Sequence, residues 1–150
     1  MIEAGTQLAP FKGAPLRTGL AGAKPSADRL FVCGESIGAT YSMSGEGIGK
    51  AMETANVAAA HALAALSSGK TTARDLAQYD DDLERTFRER FANYKTGQSW
   101  LGRPAVCNYA IRRARRSPRA RGIFEGIISE KQDPTELLSL YGILKALVLR

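Results

Sequence analysis

The chain has 150 residues, 44% hydrophobic and 24% charged, which are values of one folded domain and exclude wholesale disorder. Its two cysteines, Cys33 and Cys107, stand far apart and outside any CxxC or Cys/His cluster, which argues against a disulfide framework and a zinc site. The net charge of +6 is uneven: residues 1–100 hold 11 Lys/Arg and 11 Asp/Glu, whereas residues 101–150 hold 10 against four.

The start MIEAGTQLAP lacks the basic and apolar pattern of a signal peptide, and no apolar run reaches the ~20 residues that span a bilayer. With the cysteine usage, this gives the expectation of a soluble, cytoplasmic protein. Residues 1–28, with Pro10, Pro15 and Pro25, read as a connecting segment with room for one extended stretch. Residues 30–33, LFVC, form a compact apolar run ended by Gly34 and predict a short buried strand. A glycine-rich turn follows, and residues 29–69 close with a helix through IGKAMETANVAAAHALAAL. Its expected packing face is Ile48, Ala51, Met52, Ala55, Ala58, Ala59, Ala62 and Leu66.

Residues 70–150 read as a helical region. Thr72 and Asp75 make a capping box, and Leu76, Tyr79, Leu83, Phe87, Phe91 and Tyr94 form an apolar stripe. Asp81–Arg85 and Glu84–Arg88 are spaced for outer-face ion pairs. Trp100 is expected to anchor this helix to a third one over residues 104–116. Ser117 and Pro118 read as the N-cap and first position of a fourth. Asp133, Pro134 and Glu136 repeat the start signal for ELLSLYGILKALVLR, which Gly142 is expected to split. The fold class is therefore mainly α with one or two short strands, too few for a self-sufficient sheet.

The turn itself, GESIGATYSMSGEGIGKAME over residues 34–53, carries five glycines. It is not a phosphate-binding P-loop: Ser44 stands where the first glycine belongs and Ala51 where the hydroxyl belongs. Nor is it a dinucleotide fingerprint, because Gly45 and Gly47 are followed by Lys50 in the third glycine position and lie far from the strand. What remains is an acid at a strand end, Glu35, suited to polyol hydroxyls. Ten residues on, Gly45, Gly47 and Ile48 open a helix whose free N–H groups favour an electron-rich edge. A ligand with a polyol tail and a planar electron-accepting head fits both parts, and flavin has both.

The run G-E-S-I-G, six residues, G-E-G-I and then K-A-M-E-x-A resembles the third flavin motif of the geranylgeranyl reductase family of FAD-dependent oxidoreductases. The resemblance extends over residues 13–66 and returns in DPTELLSLYGILK. It implies the C-terminal part of an α/β FAD-binding fold of the p-hydroxybenzoate hydroxylase type. It implies FAD as cofactor, with Gly34, Glu35, Gly38, Gly45, Gly47 and Ile48 around it, Glu35 on the ribityl chain and the amides of Gly47 and Ile48 at the pyrimidine edge. Tyr41, Ser42 and Met43 become substrate-side candidates, and Ser42 departs from the proline common in the family. The substrate class implied is isoprenoid or lipid-like, with double-bond reduction or a related oxidation as the chemistry. The ADP-binding βαβ unit of such enzymes is not found before Leu30. The expected partner is therefore an N-terminal dinucleotide-binding part, from the same gene or a separate subunit, and the 150 residues alone are expected to be inactive.

No catalytic acid or base and no metal site is identifiable. His61 reads as a packing or half-exposed residue, and Cys33 as a small buried one. The alternative is a basic helical module that uses the six arginines of residues 112–121, RRARRSPRAR, on nucleic acid or an anionic membrane. Aromatic interleaving is missing there, which weighs against nucleic acid and for a solvated helix end, with a peripheral membrane contact as the remaining role.

Overall fold

The computed structural model describes residues 9, 10 and 12–135; the expectations for residues 136–150, including the Gly142 split and the ILKALVLR end, lie outside the described residues. The described chain is mainly helical. In order come two short strands, β1 (Ser26–Ala27) and β2 (Leu30–Phe31), a 3₁₀ turn (Gly34–Ile37), and four helices: α1 (Ile48–Ser68), α2 (Ala73–Leu101), α3 (Pro104–Arg116) and α4 (Pro118–Ile128). Among the described residues no helix is long and apolar enough to cross a membrane.

α2 forms the spine. Thr72 accepts from the Asp75 N–H while the Asp75 carboxylate accepts from the Thr72 N–H, so the capping box satisfies two otherwise orphaned donors. From that start Leu76, Tyr79, Leu83, Phe87, Phe91 and Tyr94 recur every three or four residues, and all six are buried. Against them pack Ile37, Ala39 and Tyr41 from the glycine turn and Ile127 from α4. On the outer face Arg88 pairs with Glu84, whereas Arg85 pairs with Asp82 at 2.7 Å rather than with Asp81.

α3 begins at Pro104, where a missing N–H costs nothing, and α4 begins at Ser117–Pro118 with the serine hydroxyl accepting from the Ala120 N–H at 3.3 Å. The Arg103 guanidinium lies 5.1 Å from the Trp100 ring centre at the α2–α3 junction. Beyond α4, the Asp133 carboxylate accepts from the Thr135 N–H at 2.7 Å, which is the start signal read in the sequence.

Three expectations need correction. The buried strand over residues 30–33 is a two-residue strand in an antiparallel hairpin, with Ser26 opposite Phe31 and Ala27 opposite Leu30. Leu30 is 51% exposed, because a single partner strand covers little of its surface. Hydrogen bonds to the start of α2 hold the hairpin, from the Ala73 N–H to Asp28 Oδ1 at 2.6 Å and from the Arg29 N–H to the Thr71 carbonyl at 2.8 Å.

Secondly, the described part of residues 1–28 does more than connect. The stretch from Gly19 to Ala23 runs along the glycine turn, with N–H bonds from Gly19 to the Thr40 carbonyl, Leu20 to Gly38 and Ala23 to Ser36.

Thirdly, α1 is rotated from its expected orientation. Ile48 is 82% and Leu66 76% exposed, while Lys50, Thr54 and Ala65 are buried and Val57, Ala58 and His61 partly covered. An alanine stripe gains little from burial, so polar contacts fix the rotation. Thr54 Oγ1 accepts from the Gly34 N–H at 3.0 Å and donates to the Lys50 carbonyl at 2.9 Å.

Candidate functional site

The glycine turn and the start of α1 form one local assembly. The Gly34 N–H bond to Thr54, and a gap at Gly34 that a methyl would fill to 3.1 Å from Ala51 Cβ, seat the 3₁₀ turn on the first two turns of α1. Glu35, next along, is exposed. The Gly47 and Ile48 amides stand at the same end of α1 and have no hydrogen-bond partner among the described residues. The third amide, of Gly49, is occupied by Glu46 Oε1 at 2.7 Å. The loop between closes on itself through N–H bonds from Tyr41 to the Glu46 carbonyl and from Gly45 to the Tyr41 carbonyl, at 2.8 and 2.9 Å.

The glycines have distinct reasons. Gly45 sits at φ 71° with nothing within 4 Å of a side-chain position, so open space faces it. At Gly47 a methyl would lie 2.8 Å from Thr40 Oγ1, so its bareness is required inside the chain as well. Gly38, at φ 78°, ends the 3₁₀ turn, and a methyl there would lie 2.7 Å from the Ala21 nitrogen.

The substrate-side candidates separate. Tyr41 is 0% exposed and stacks on Tyr94 with ring centres 3.8 Å apart and an interplanar angle of 3°. It leans on Phe91 at 4.9 Å and its hydroxyl donates to Glu130 Oε2 at 3.3 Å. Tyr41 is thus a core residue rather than the lining of an open surface, and burial pushes its phenol pKa up. Met43 packs towards α2, its Sδ 3.0 Å from where a side chain would start at Gly97. Ser42 is partly exposed beside Gly19. A depression of about 350 Å³ lies between Leu20, Ala23, Pro25, Ile37 and the Asp80–Arg88 stretch of α2, but Glu35, Gly45, Gly47 and Ile48 do not line it.

A charged cluster beside this turn was not legible as a unit. Lys50, read in the sequence only as the lysine of a failed P-loop, has a side chain 3% exposed. Its Nζ pairs with Glu53 and, at 2.6 Å, with Glu130, and sits 5.0 Å over the Tyr41 ring. Arg90 pairs with Glu53 at 2.6 Å and lies 4.0 Å from Glu130. Two cations and two carboxylates thus neutralise one another and tie α1, α2 and the segment just after α4 together. One signal was available: a lysine in the first turn of a helix stands at the unfavourable end of the dipole and needs an acid nearby. His61 makes a second tie, its Nε2 2.9 Å from Asp82 Oδ2 and its ring tilted against Phe31 and Tyr79.

The cluster predicts how stability depends on pH. Burial alone would raise Glu53, but the hydrogen bonds from Lys50 and Arg90 hold its pKa below the ordinary 4.5. Its contribution is present above that value and lost as pH falls through the lower folded pKa. Burial alone would lower Lys50, but Glu130 and Glu53 hold it above the ordinary 10.5. Its contribution is complete below that value and lost as pH rises through the higher folded pKa, together with those of the buried phenols of Tyr41 and Tyr79. Thermal unfolding followed by circular dichroism should show a plateau with a falling limb on each side. Glu53→Gln should lower the plateau and shallow the acid limb; an unchanged acid limb would remove Glu53 from the account.

Comparisons with protein-family models, curated proteins and solved structures each find no match to this chain.

Proposed function

We propose that the chain is the flavin-contacting C-terminal part of an FAD-dependent oxidoreductase resembling the geranylgeranyl reductases. The observation that carries this reading is the joint placement of an exposed acid and bare helix amides. Glu35, on a 3₁₀ turn seated against Ala51 and Thr54, shares the first turns of α1 with the unpartnered amides of Gly47 and Ile48. The motif spacing seen in the sequence and the open space at Gly45 support the same assignment. The donor set fits the cofactor: a carboxylate accepts from the ribityl hydroxyls, and two N–H groups at the positive end of a helix donate to the carbonyl edge of the isoalloxazine.

When bound, FAD supplies hydride transfer, towards reduction of an isoprenoid-type double bond or a related oxidation. The residues of this chain then serve position and electrostatics. Glu35 would hold the polyol and the Gly47 and Ile48 amides would donate to the pyrimidine edge, while the Tyr41–Tyr94 stack with the Lys50 cluster keeps the loop between them in place. In this reading the ADP half of the cofactor is held by an N-terminal dinucleotide-binding part, in the same polypeptide or a separate subunit. The exposed apolar face of α1, with Ile48, Met52, Leu63 and Leu66, is the surface such a part would cover.

Flavin content is the test. Joined to an ADP-binding unit, the protein should purify yellow, and Glu35→Ala should weaken FAD binding roughly ten- to a hundredfold, as loss of a charged acceptor worth ~1.5–3 kcal/mol implies. Unchanged affinity in that variant sinks the role of Glu35. Stoichiometric FAD binding by the 150 residues alone would overturn the divided-site reading.

A further inference from the structure

We propose that the corner where α3 meets α4 is a docking surface for an anionic lipid bilayer, a property separate from flavin binding. Arg112, Arg115 and Arg116 lie on the exposed side of α3, and Arg119 and Arg121 are exposed on α4, across the Ser117 junction. None of these five has an ion-pair partner among the described residues, whereas Arg85, Arg88 and Arg90 of α2 are each paired with a carboxylate.

Helix stability does not account for the arrangement. Cations in the last turn of α3 complement its dipole, but Arg119 stands in the first turn of α4, where a cation is unfavourable and no acid accompanies it. Five mutually repelling charges at one corner, part of them at the wrong helix end, are stabilised by an anionic surface outside the protein.

Two further side chains identify that surface as lipid. Tyr109 and Ile111 are each about half exposed, at 53% and 52%, and at 100° per residue they flank Arg112, Arg115 and Arg116 on the outer side of α3. Arginines between an amphipathic ring and an aliphatic chain match a headgroup layer, where guanidinium groups meet phosphate and the apolar groups enter the acyl boundary. A single-stranded nucleic acid would instead call for a row of stacking rings, and among the described residues Tyr109 is the one aromatic of the exposed large hydrophobic residues.

The experiment is co-sedimentation of the full chain with phosphatidylcholine vesicles, with and without phosphatidylserine, at low and high salt. Binding should be at least roughly tenfold greater with phosphatidylserine and fall with salt, since each basic residue adds to the attraction. The variant Arg112→Glu/Arg115→Glu/Arg116→Glu should fall to the level of neutral vesicles. Tyr109→Ser/Ile111→Ser should weaken vesicle binding several-fold and leave retention on poly(U) unchanged. Circular dichroism confirms that both variants fold. Equal or absent binding to the two vesicle types overturns the proposal. So does an unaffected Tyr109→Ser/Ile111→Ser variant whose vesicle binding poly(U) abolishes, an outcome that assigns the corner to nucleic acid.

Discussion

Gly22→Ala should destabilise the fold by about 3 kcal/mol, at the upper end of the range for overpacking, although residue 22 lies in a segment without regular secondary structure. A methyl at this position would lie 2.3 Å from the Ile37 carbonyl carbon, 2.4 Å from the Ser36 oxygen and 2.5 Å from the Gly38 nitrogen. All three are backbone atoms, so no rotamer change relieves the contact. The hydrogen bonds from Leu20 to Gly38 and from Ala23 to Ser36 hold the two segments together on either side. Relief requires lifting the segment off the turn and losing at least one of these bonds, at about 1 kcal/mol each. Gly45→Ala is the contrast. It faces open space at φ 71°, so it should cost only the ~1–2 kcal/mol of a left-handed alanine. Urea unfolding followed by circular dichroism measures both. A loss below about 1 kcal/mol at Gly22 would mean that the two backbones separate easily, contrary to the close approach seen.

That contrast marks where the sequence was legible. α2, α3 and α4 could be read because their signals are local: a capping box at Thr72, prolines at helix starts, and a six-member stripe whose rings have nowhere to go but inward. The rotation of α1 could not be read. Its alanines barely distinguish one face from another, and the deciding contacts join Lys50 to Glu130 and Thr54 to Gly34, 80 and 20 residues apart. The segment from Gly19 to Ala23 has no periodicity to betray it, since it pairs with an irregular turn through scattered backbone bonds. At the candidate site, the spacing from Glu35 to Gly47 was visible as a motif. Its seating on one helix end depends on Thr54, in the second turn of α1, which carries no sequence signal. Glycine was the most ambiguous residue. Gly22 and Gly38 serve the approach of two backbones within the chain, and Gly45 alone of those in the motif loop faces open space.

Tyr41→Ala should cost about 4 kcal/mol of stability, whereas Tyr41→Phe should cost under about 1 kcal/mol. The first figure follows from truncating a fully buried ring between Tyr94 and Phe91, which removes apolar burial and a stacked pair and leaves a cavity. The second follows from the weakness of what the hydroxyl does. Its bond to Glu130 is 3.3 Å long, and Glu130 keeps the shorter 2.6 Å bond from Lys50 when the phenol oxygen is gone. The pair of variants also separates a core role from a ligand-facing one. A residue lining an open substrate surface would lose ligand affinity on truncation with little change in unfolding. Here the ring supports the loop between Glu35 and Gly47 from beneath, so Tyr41→Ala should lower the unfolding free energy and, on the flavin reading proposed above, the flavin content of the protein joined to an ADP-binding unit, while Tyr41→Phe should leave both near wild type. Normal stability in Tyr41→Ala with weakened substrate binding would return Tyr41 to the ligand surface. A large loss in Tyr41→Phe would mean that the Glu130 carboxylate depends on the phenol more than the short Lys50 contact implies.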